Sequence, residues 1–185
     1  MVFSDAHFYP GVHSTVFKGL LWAIKELNPV AVIANGDVFD GATISRHPRI
    51  GWDSKPSVIE ELKACEIAMG EIEETAKKVR HNVQLIWPLG NHDARFETFL
   101  AANAPQYEGV QGFTLKDFFP HWQPCWSFWV NDHTVIKHMW KGGFSAGRAN
   151  TLNAGVSMVT GHTHNMAVQP LTDYRGNRYG VQTGM

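Results

Sequence analysis

Cysteine is scarce in this sequence, with two in 185 residues, Cys65 and Cys125, and no CxxC spacing. Two isolated thiols build no disulfide scaffold and point to a reducing, cytoplasmic setting. Long apolar runs are missing as well. None approaches the ~20 residues a membrane-spanning helix needs, so no membrane partner is expected. The first residues lack a signal peptide's basic start, apolar stretch and small-residue cleavage site. Excess charge of either sign is also absent, since sixteen Lys+Arg against seventeen Asp+Glu leave a net charge of -1. That balance offers polyanions no general attraction, so any affinity for phosphate has to be local. No repeat, low-complexity tract or Gly/Ser linker divides the chain. One domain over residues 1–185 is expected, trimmed at one or both ends, because the first strand is short and the chain stops directly after a strand. A chain of this size buries roughly 70% of its unfolded surface and needs no staples. What is plentiful is histidine, ten residues, and tryptophan, seven.

Short apolar runs alternate with helical patterns along the chain. Met1 to Phe3 is the stub of a strand. Val16, Phe17, Leu20, Leu21, Ile24 and Leu27 recur at helical spacing, with Ser14 as N-cap and Pro29 just beyond the end. Val30 to Ala34 is a continuous apolar run of strand length, as a strand covered on both faces requires. Leu62, Cys65, Met69, Ile72, Ala76 and Val79 form one stripe of a long helix. Its charged residues, Glu60, Glu61, Glu66, Lys77 and Lys78 among them, read as a solvated face. Val83 to Trp87 is the next strand, residues 96–103 a helix, and 105–126 a Pro- and aromatic-rich connection. Thr134 to Lys137 and Val156 to Thr160 are further strands, and Ala167 to Thr183 a hairpin around 173–177. Strand–helix alternation followed by a strand-rich half predicts an α/β sandwich with a mixed sheet.

The first five predicted strands end in the same residue types. The first runs into Asp5-Ala6-His7, the second into Asn35-Gly36-Asp37 with Asp40 close behind, and the third into Gly90-Asn91-His92-Asp93. The fourth ends at His138 and the fifth at Gly161-His162-Thr163-His164. Open α/β sheets place ligand sites at the carboxyl ends of strands. Asp oxygens and neutral imidazoles suit Mn, Fe and Zn, and an Asn carbonyl is a tolerated weaker donor. Seven donors over-supply one mononuclear centre. Two metals sharing a carboxylate would use them all, and a pair roughly 3.5–4 Å apart is the clamp of phosphoryl-transfer hydrolases.

Asp5-x-His7, Gly36-Asp37-x-x-Asp40, Gly90-Asn91-His92-Asp93, a lone His138 and Gly161-His162-x-His164 resemble the five ordered motifs of the calcineurin-like metallophosphoesterases. The resemblance spans residues 4–164. It implies a four-layer αββα fold, a β-sandwich of mixed sheets flanked by helices, with a dinuclear centre at the strand ends. It implies that Asp5, His7 and His164 hold one metal, that Asn91, His138 and His162 hold the other, and that Asp37 bridges both. His92 would be the general acid, oriented by Asp40, and a hydroxide bridging the metals would attack phosphorus in line. The cofactors implied are two divalent cations, Mn foremost, with Fe, Zn or Ni as alternatives. One departure stands out. The family has Gly straight after the lone histidine, and here Met139 and Trp140 follow His138, which bears on the local turn and the pocket wall. His133 is the substitute candidate, but it sits beside Asn131-Asp132 in a turn.

Each residue also has a plainer reading. Taken singly, the Asp and Asn residues are ordinary turn formers, and His138 could be a core histidine. Asp93 reads as a brace for its loop. Arg95, three residues past His92, and Asn91 are candidates to bind a substrate phosphate, Arg95 through its bidentate fork. Lys137, Lys141 and Arg148 could form a local anion patch or simply be solvated. Trp122, Trp126, Phe128 and Trp129 read as core and lid packing before base stacking. The function expected is hydrolysis of phosphate esters, leaning to phosphodiesterase or nuclease-like work, with a nucleotide or nucleic acid as candidate substrate. The alternatives are a phosphomonoesterase, a non-catalytic scaffold of the same fold, and a mononuclear zinc hydrolase with no use for Asn91.

Overall fold

The computed structural model describes residues 1–47, 51–52 and 54–184. Four parallel strands make the first sheet: β1 (Val2–Phe3), β2 (Ala31–Ala34), β3 (Gln84–Pro88) and β4 (Gln123–Cys125), in that spatial order. The second sheet has the order β5-β6-β7-β9-β8, formed by β5 (Phe128–Asn131), β6 (Thr134–Ile136), β7 (Ser157–Thr160), β8 (Ala167–Asp173) and β9 (Gly176–Gln182). The β5–β6 and β8–β9 pairs are antiparallel; β6–β7 and β7–β9 are parallel.

Side-chain alternation along a strand decides what each sheet face meets. In the first sheet, Val32, Ala34, Leu85 and Trp87 face the helical layer. There α1 (Thr15–Leu27) offers Phe17 and Ile24, and α2 (Val58–Val79) offers Leu62, Cys65, Met69 and Ile72, the stripe the spacing predicts. Ile33 and Ile86 point the other way, onto Ile136 and the half-buried Val159 and Phe128 of the second sheet. The outer face of that sheet is covered by α5 (Ala146–Ala154), where a Cβ on Gly180 would lie 2.2 Å from the Gly147 carbonyl oxygen. The layers run helix, sheet, sheet, helix, in an α/β fold of two sheets.

Ser14 caps α1 by accepting from the Phe17 amide at 3.1 Å, and Ser57 and Glu60 close a capping box on α2. Two short helices, α3 (Arg95–Asn103) and α4 (Leu115–Phe118), follow β3.

The structure departs from the sequence reading in four places. The stretch 105–126 is no plain connection, because α4 and the edge strand β4 lie within it. Residues 128–131 form β5, and 146–154 form α5, neither of which the periodicity showed. Of the tryptophans read as packing, Trp122 is buried, but Trp126 and Trp129 are exposed, as is Trp140, near His138 in sequence. Glu61 is not on a solvated face. It is buried, and its carboxylate accepts from the Gly41 amide at 2.8 Å and the Ala42 amide at 3.2 Å, so the long helix braces the loop just past Asp40. Among the described residues no helix is long and apolar enough to cross a membrane.

Candidate metal centre

Parallel strands present their carboxyl ends together, so the loops after β1, β2, β3, β6 and β7 converge. They are stitched to one another by backbone. The Asp5 and His7 amides donate to the carbonyls of Gly36 (3.0 Å) and Asp37 (2.9 Å), and the Gly161 amide to that of His138 (2.9 Å). Among the described non-glycine residues, six have positive φ. One is Asn28, the C-cap of α1; the others are Asp5 (55°), His7 (38°), Asp37 (52°), His162 (69°) and His164 (50°). Asp, Asn and His tolerate this region better than other side chains, yet each such residue costs on the order of 1 kcal/mol or more and persists only where its surroundings fix it. Five strained positions on five predicted ligands mark a built site.

Space for the donors comes from glycines. A Cβ on Gly36 would lie 2.4 Å from the His138 ring, on Gly90 2.1 Å from Asp37 Oδ1, and on Gly161 2.7 Å from Asp5 Oδ2. Each glycine thus lets a donor from a different loop close against the backbone.

The donors gather in two groups. Asp5, His7 and His164 offer atoms within 4.8 Å of one another, and so do Asp37, His138 and His162. Asp37 adjoins both, its Oδ2 lying 3.1 Å from His138 Nε2 and 3.9 Å from His7 Nε2. Asp5, Asp37 and His138 are buried, and His164 is exposed. Asp5 is held by Ser4 Oγ, which also reaches the Thr183 carbonyl at 2.6 Å, and by the His162 amide at 2.8 Å. The His133 alternative is exposed in the β5–β6 turn; His138 is the histidine brought to the other donors.

The lone pairs of these donors face one another. His138 Nδ1 lies 2.7 Å from the Asn35 carbonyl and donates to it, so in the neutral imidazole Nε2 is an acceptor facing the Asp37 carboxylate. That Nε2 is buried with no hydrogen-bond partner, and so is Asn91 Oδ1 on the next loop. Orphaned buried polar atoms are rare in native proteins. Here they are acceptors in a ring of carboxylates and imidazoles, the donor set a divalent cation of the Mn, Fe or Zn type takes. The residues fit a metal pair.

Charge around the centre tells the same story. Burial alone would lower the pKa of His7 and His138; the Asp40 and Asp37 carboxylates carry both upward instead, so without a cation a proton on His138 Nε2 is favoured between it and Asp37. Burial would raise Asp37, and His138 above all holds it below its ordinary range. Burial, then the neighbouring His138, pushes His162 down. The cluster is a concentration of negative charge that draws cations.

Beside the donors stands a second arrangement. His92 Nδ1 lies 2.6 Å from Asp40 Oδ1, and the Arg95 guanidinium reaches the Asp40 carbonyl (2.7 Å) and His92 Nε2 (3.1 Å). Hydrogen bonds from His7 and His92 keep the Asp40 carboxyl far below its usual value. Asp93 is wholly buried and braces the loops, as its plainer reading has it. It accepts from the amides of Asp37 (2.9 Å), Val38 (3.0 Å), Phe39 (3.0 Å) and Gly90 (2.8 Å) and from the Trp87 indole (3.1 Å). Burial pushes its carboxyl up, and these donors pull against that rise.

A family model for calcineurin-like phosphoesterases matches residues 1–166, nine-tenths of the chain. The chain belongs to the calcineurin-like phosphoesterase family. Membership makes it a metal-dependent hydrolase of phosphoric esters with a divalent-metal site, and the α/β fold of two sheets flanked by helices agrees. No curated protein matches the sequence closely enough to count as a relative.

Sequence reasoning missed four residues that shape this phosphoesterase centre: Ser4, which holds Asp5, Thr183, which meets Ser4, Asn35, whose carbonyl orients His138, and Glu61 behind the Asp40 loop. Lys141 and Arg148, weighed for an anion patch, are exposed and do not line the cavity beside the centre, whereas Lys137 does.

Proposed function

We propose that the protein is a dinuclear phosphodiesterase, with Mn the foremost metal. Asp5, His7 and His164 would hold one cation, Asn91, His138 and His162 the other, and Asp37 both. The observation that carries this reading is the pair of facing acceptors, His138 Nε2 and Asp37 Oδ2, 3.1 Å apart in buried surroundings with Asn91 Oδ1 unpartnered nearby. Bound divalent cations supply an activated water at neutral pH and neutralise charge on phosphoryl oxygens.

The chain's own residues do the rest. Asp40 fixes the His92 ring by accepting from Nδ1, so Nε2 is the atom that can deliver a proton to the leaving oxygen. Arg95 now donates to that same nitrogen. A phosphate oxygen entering the site would draw the guanidinium away, clamping the substrate and freeing Nε2 to carry its proton. A cavity of about 680 Å³ abuts the donor array at Asn91 and His138. Its room beside the donors suits a phosphate that carries a second substituent, which favours a diester.

Hydrolysis of bis-p-nitrophenyl phosphate and p-nitrophenyl phosphate, with Mn added and then chelated, tests this reading. Chelator-sensitive turnover that favours the diester is expected, and a monoester preference would assign a phosphatase instead. His92→Ala is expected to lower kcat by about 10²–10⁴-fold with bound metal unchanged. The loss should be larger for phenyl than for p-nitrophenyl esters, because the poorer leaving oxygen needs the proton more. An equal loss on both would remove His92 from the acid's role.

A further inference from the structure

The cavity beside Asn91 and His138 has a composition unlike the rest of the chain. Arg46, Arg95 and Lys137 line it, and no Asp or Glu does among the described residues, although the protein as a whole is nearly neutral. Three large apolar side chains share the lining with small and polar residues: Trp126, Phe99 and Met139, each 40% or more exposed. Several tryptophans of this chain are exposed, but among the described residues Trp126 is the one that lines this cavity.

Trp126 is set there by backbone. Strand β4 pairs with β3 through Pro88↔Cys125, and the Leu89 amide donates to the Cys125 carbonyl at 2.8 Å. The residue after Cys125 therefore stands beside the loop that carries Asn91. Met139 follows His138 directly, in the place where the motif is expected to have glycine, so its side chain adds a soft apolar wall that a glycine would not.

We infer that this cavity is a nucleobase subsite: a nucleoside phosphate places its phosphate at the donor array and stacks its base on Trp126. This deepens the phosphodiesterase reading and rests on it for the place of the phosphate. Cations at the mouth and a flat aromatic wall are the pairing that phosphate-bearing bases require, and stacking contributes roughly 1–3 kcal/mol per base. A volume of about 680 Å³ lies within the range of small-molecule sites. A sugar phosphate without a base leaves the aromatic wall unused. An acidic peptide would meet the cations but has no flat group for the tryptophan.

Isothermal titration of the Mn-loaded protein with AMP and with ribose 5-phosphate tests the inference, since the two differ only by adenine. AMP is expected to bind about tenfold tighter, the low end of one base's stacking. Trp126→Ala should bring AMP to within about twofold of ribose 5-phosphate, and Trp126→Phe should restore most of the difference. Trp126 is largely exposed, so its truncation leaves the core intact. A 5′-phosphorylated oligothymidylate binding tighter than AMP would mark a strand end as the source of the base; no gain would mark a free nucleotide, and either supports the subsite. Equal affinities in the wild type, or a difference that survives Trp126→Ala, would overturn it. Turnover of methyl p-nitrophenyl phosphate, which carries no base, reports separately on the phosphodiesterase reading.

Discussion

Asp93→Ala is expected to cost roughly 3–5 kcal/mol of stability, the scale for removing one partner of a fully buried charged network. Asp93 makes no contact with the donor atoms of the proposed metals. Its carboxylate instead satisfies four backbone amides and the Trp87 indole, drawn from the loops after β2 and β3 and from β3 itself. Alanine would leave all five donors buried and unpaired, each penalised by about 1–3 kcal/mol before the loops relax. Relaxation is what limits the total, and it would displace Asp37 and Asn91. At roughly 2–4 °C per kcal/mol for a chain of this size, melting in EDTA should fall by about 10 °C. A change under about 2 °C would show that the brace is dispensable. Asp93→Asn keeps the shape but turns an amino group towards amide donors, so it should recover only part of the loss.

Asp37→Ala is expected to do the opposite: little harm to the metal-free fold, and loss of nearly all turnover. Its carboxylate adjoins both donor groups, accepts the His92 amide at 2.9 Å, and stands among imidazoles whose pKa values it raises or supports. Without it the two proposed sites share no ligand, and the several kcal/mol of charge stabilisation from a metal pair disappear. Turnover of bis-p-nitrophenyl phosphate should drop by at least about 10³-fold. Melting without metal should stay near wild type, while the stabilisation that Mn confers on the wild type should vanish. An Asp37→Ala variant that still gains stability from Mn and retains a tenth of wild-type turnover would show that Asp37 does not join the metals. The two variants separate the loop's scaffold from its chemistry, although the residues come from neighbouring loops.

The candidate donors were legible because of where they fall. Asp5, His7, Asp37, Asn91, His138, His162 and His164 each follow an apolar run, and the rule that parallel strands gather ligands at their carboxyl ends needs no side-chain detail. The residues that support them were hidden because support is a matter of distance in the fold. Ser4 meets Thr183 across 179 positions, and Glu61 looked like its solvated neighbours on α2 until the helix was docked. The backbone strain at five of the donors left no trace beyond residue types that tolerate it.

The missed elements share a physical cause. Strand β4 is short, mostly exposed and contains Pro124, which an edge position accepts and periodicity rejects. Strand β5 alternates poorly, since most of it is exposed at the edge of its sheet. Helix α5 is built of small and polar residues; what it buries is Ala146, Gly147, Asn150 and Thr151. A helix lying against Gly180 at this range cannot carry an apolar stripe, so the usual signal is absent where the packing is tightest. Trp126 shows the consequence for function: its sequence reading weighed lid packing above base stacking, and only the β3–β4 pairing sets it beside the Asn91 loop.

The central claim is that seven donors hold two divalent cations whose presence makes the protein a phosphodiesterase. Titrating metal-free protein with Mn, and following bound metal and bis-p-nitrophenyl phosphate turnover in the same samples, tests it most directly. Turnover that rises with occupancy and saturates at two Mn per chain is the predicted result. Full turnover at one Mn per chain, or turnover indifferent to Mn, would contradict it.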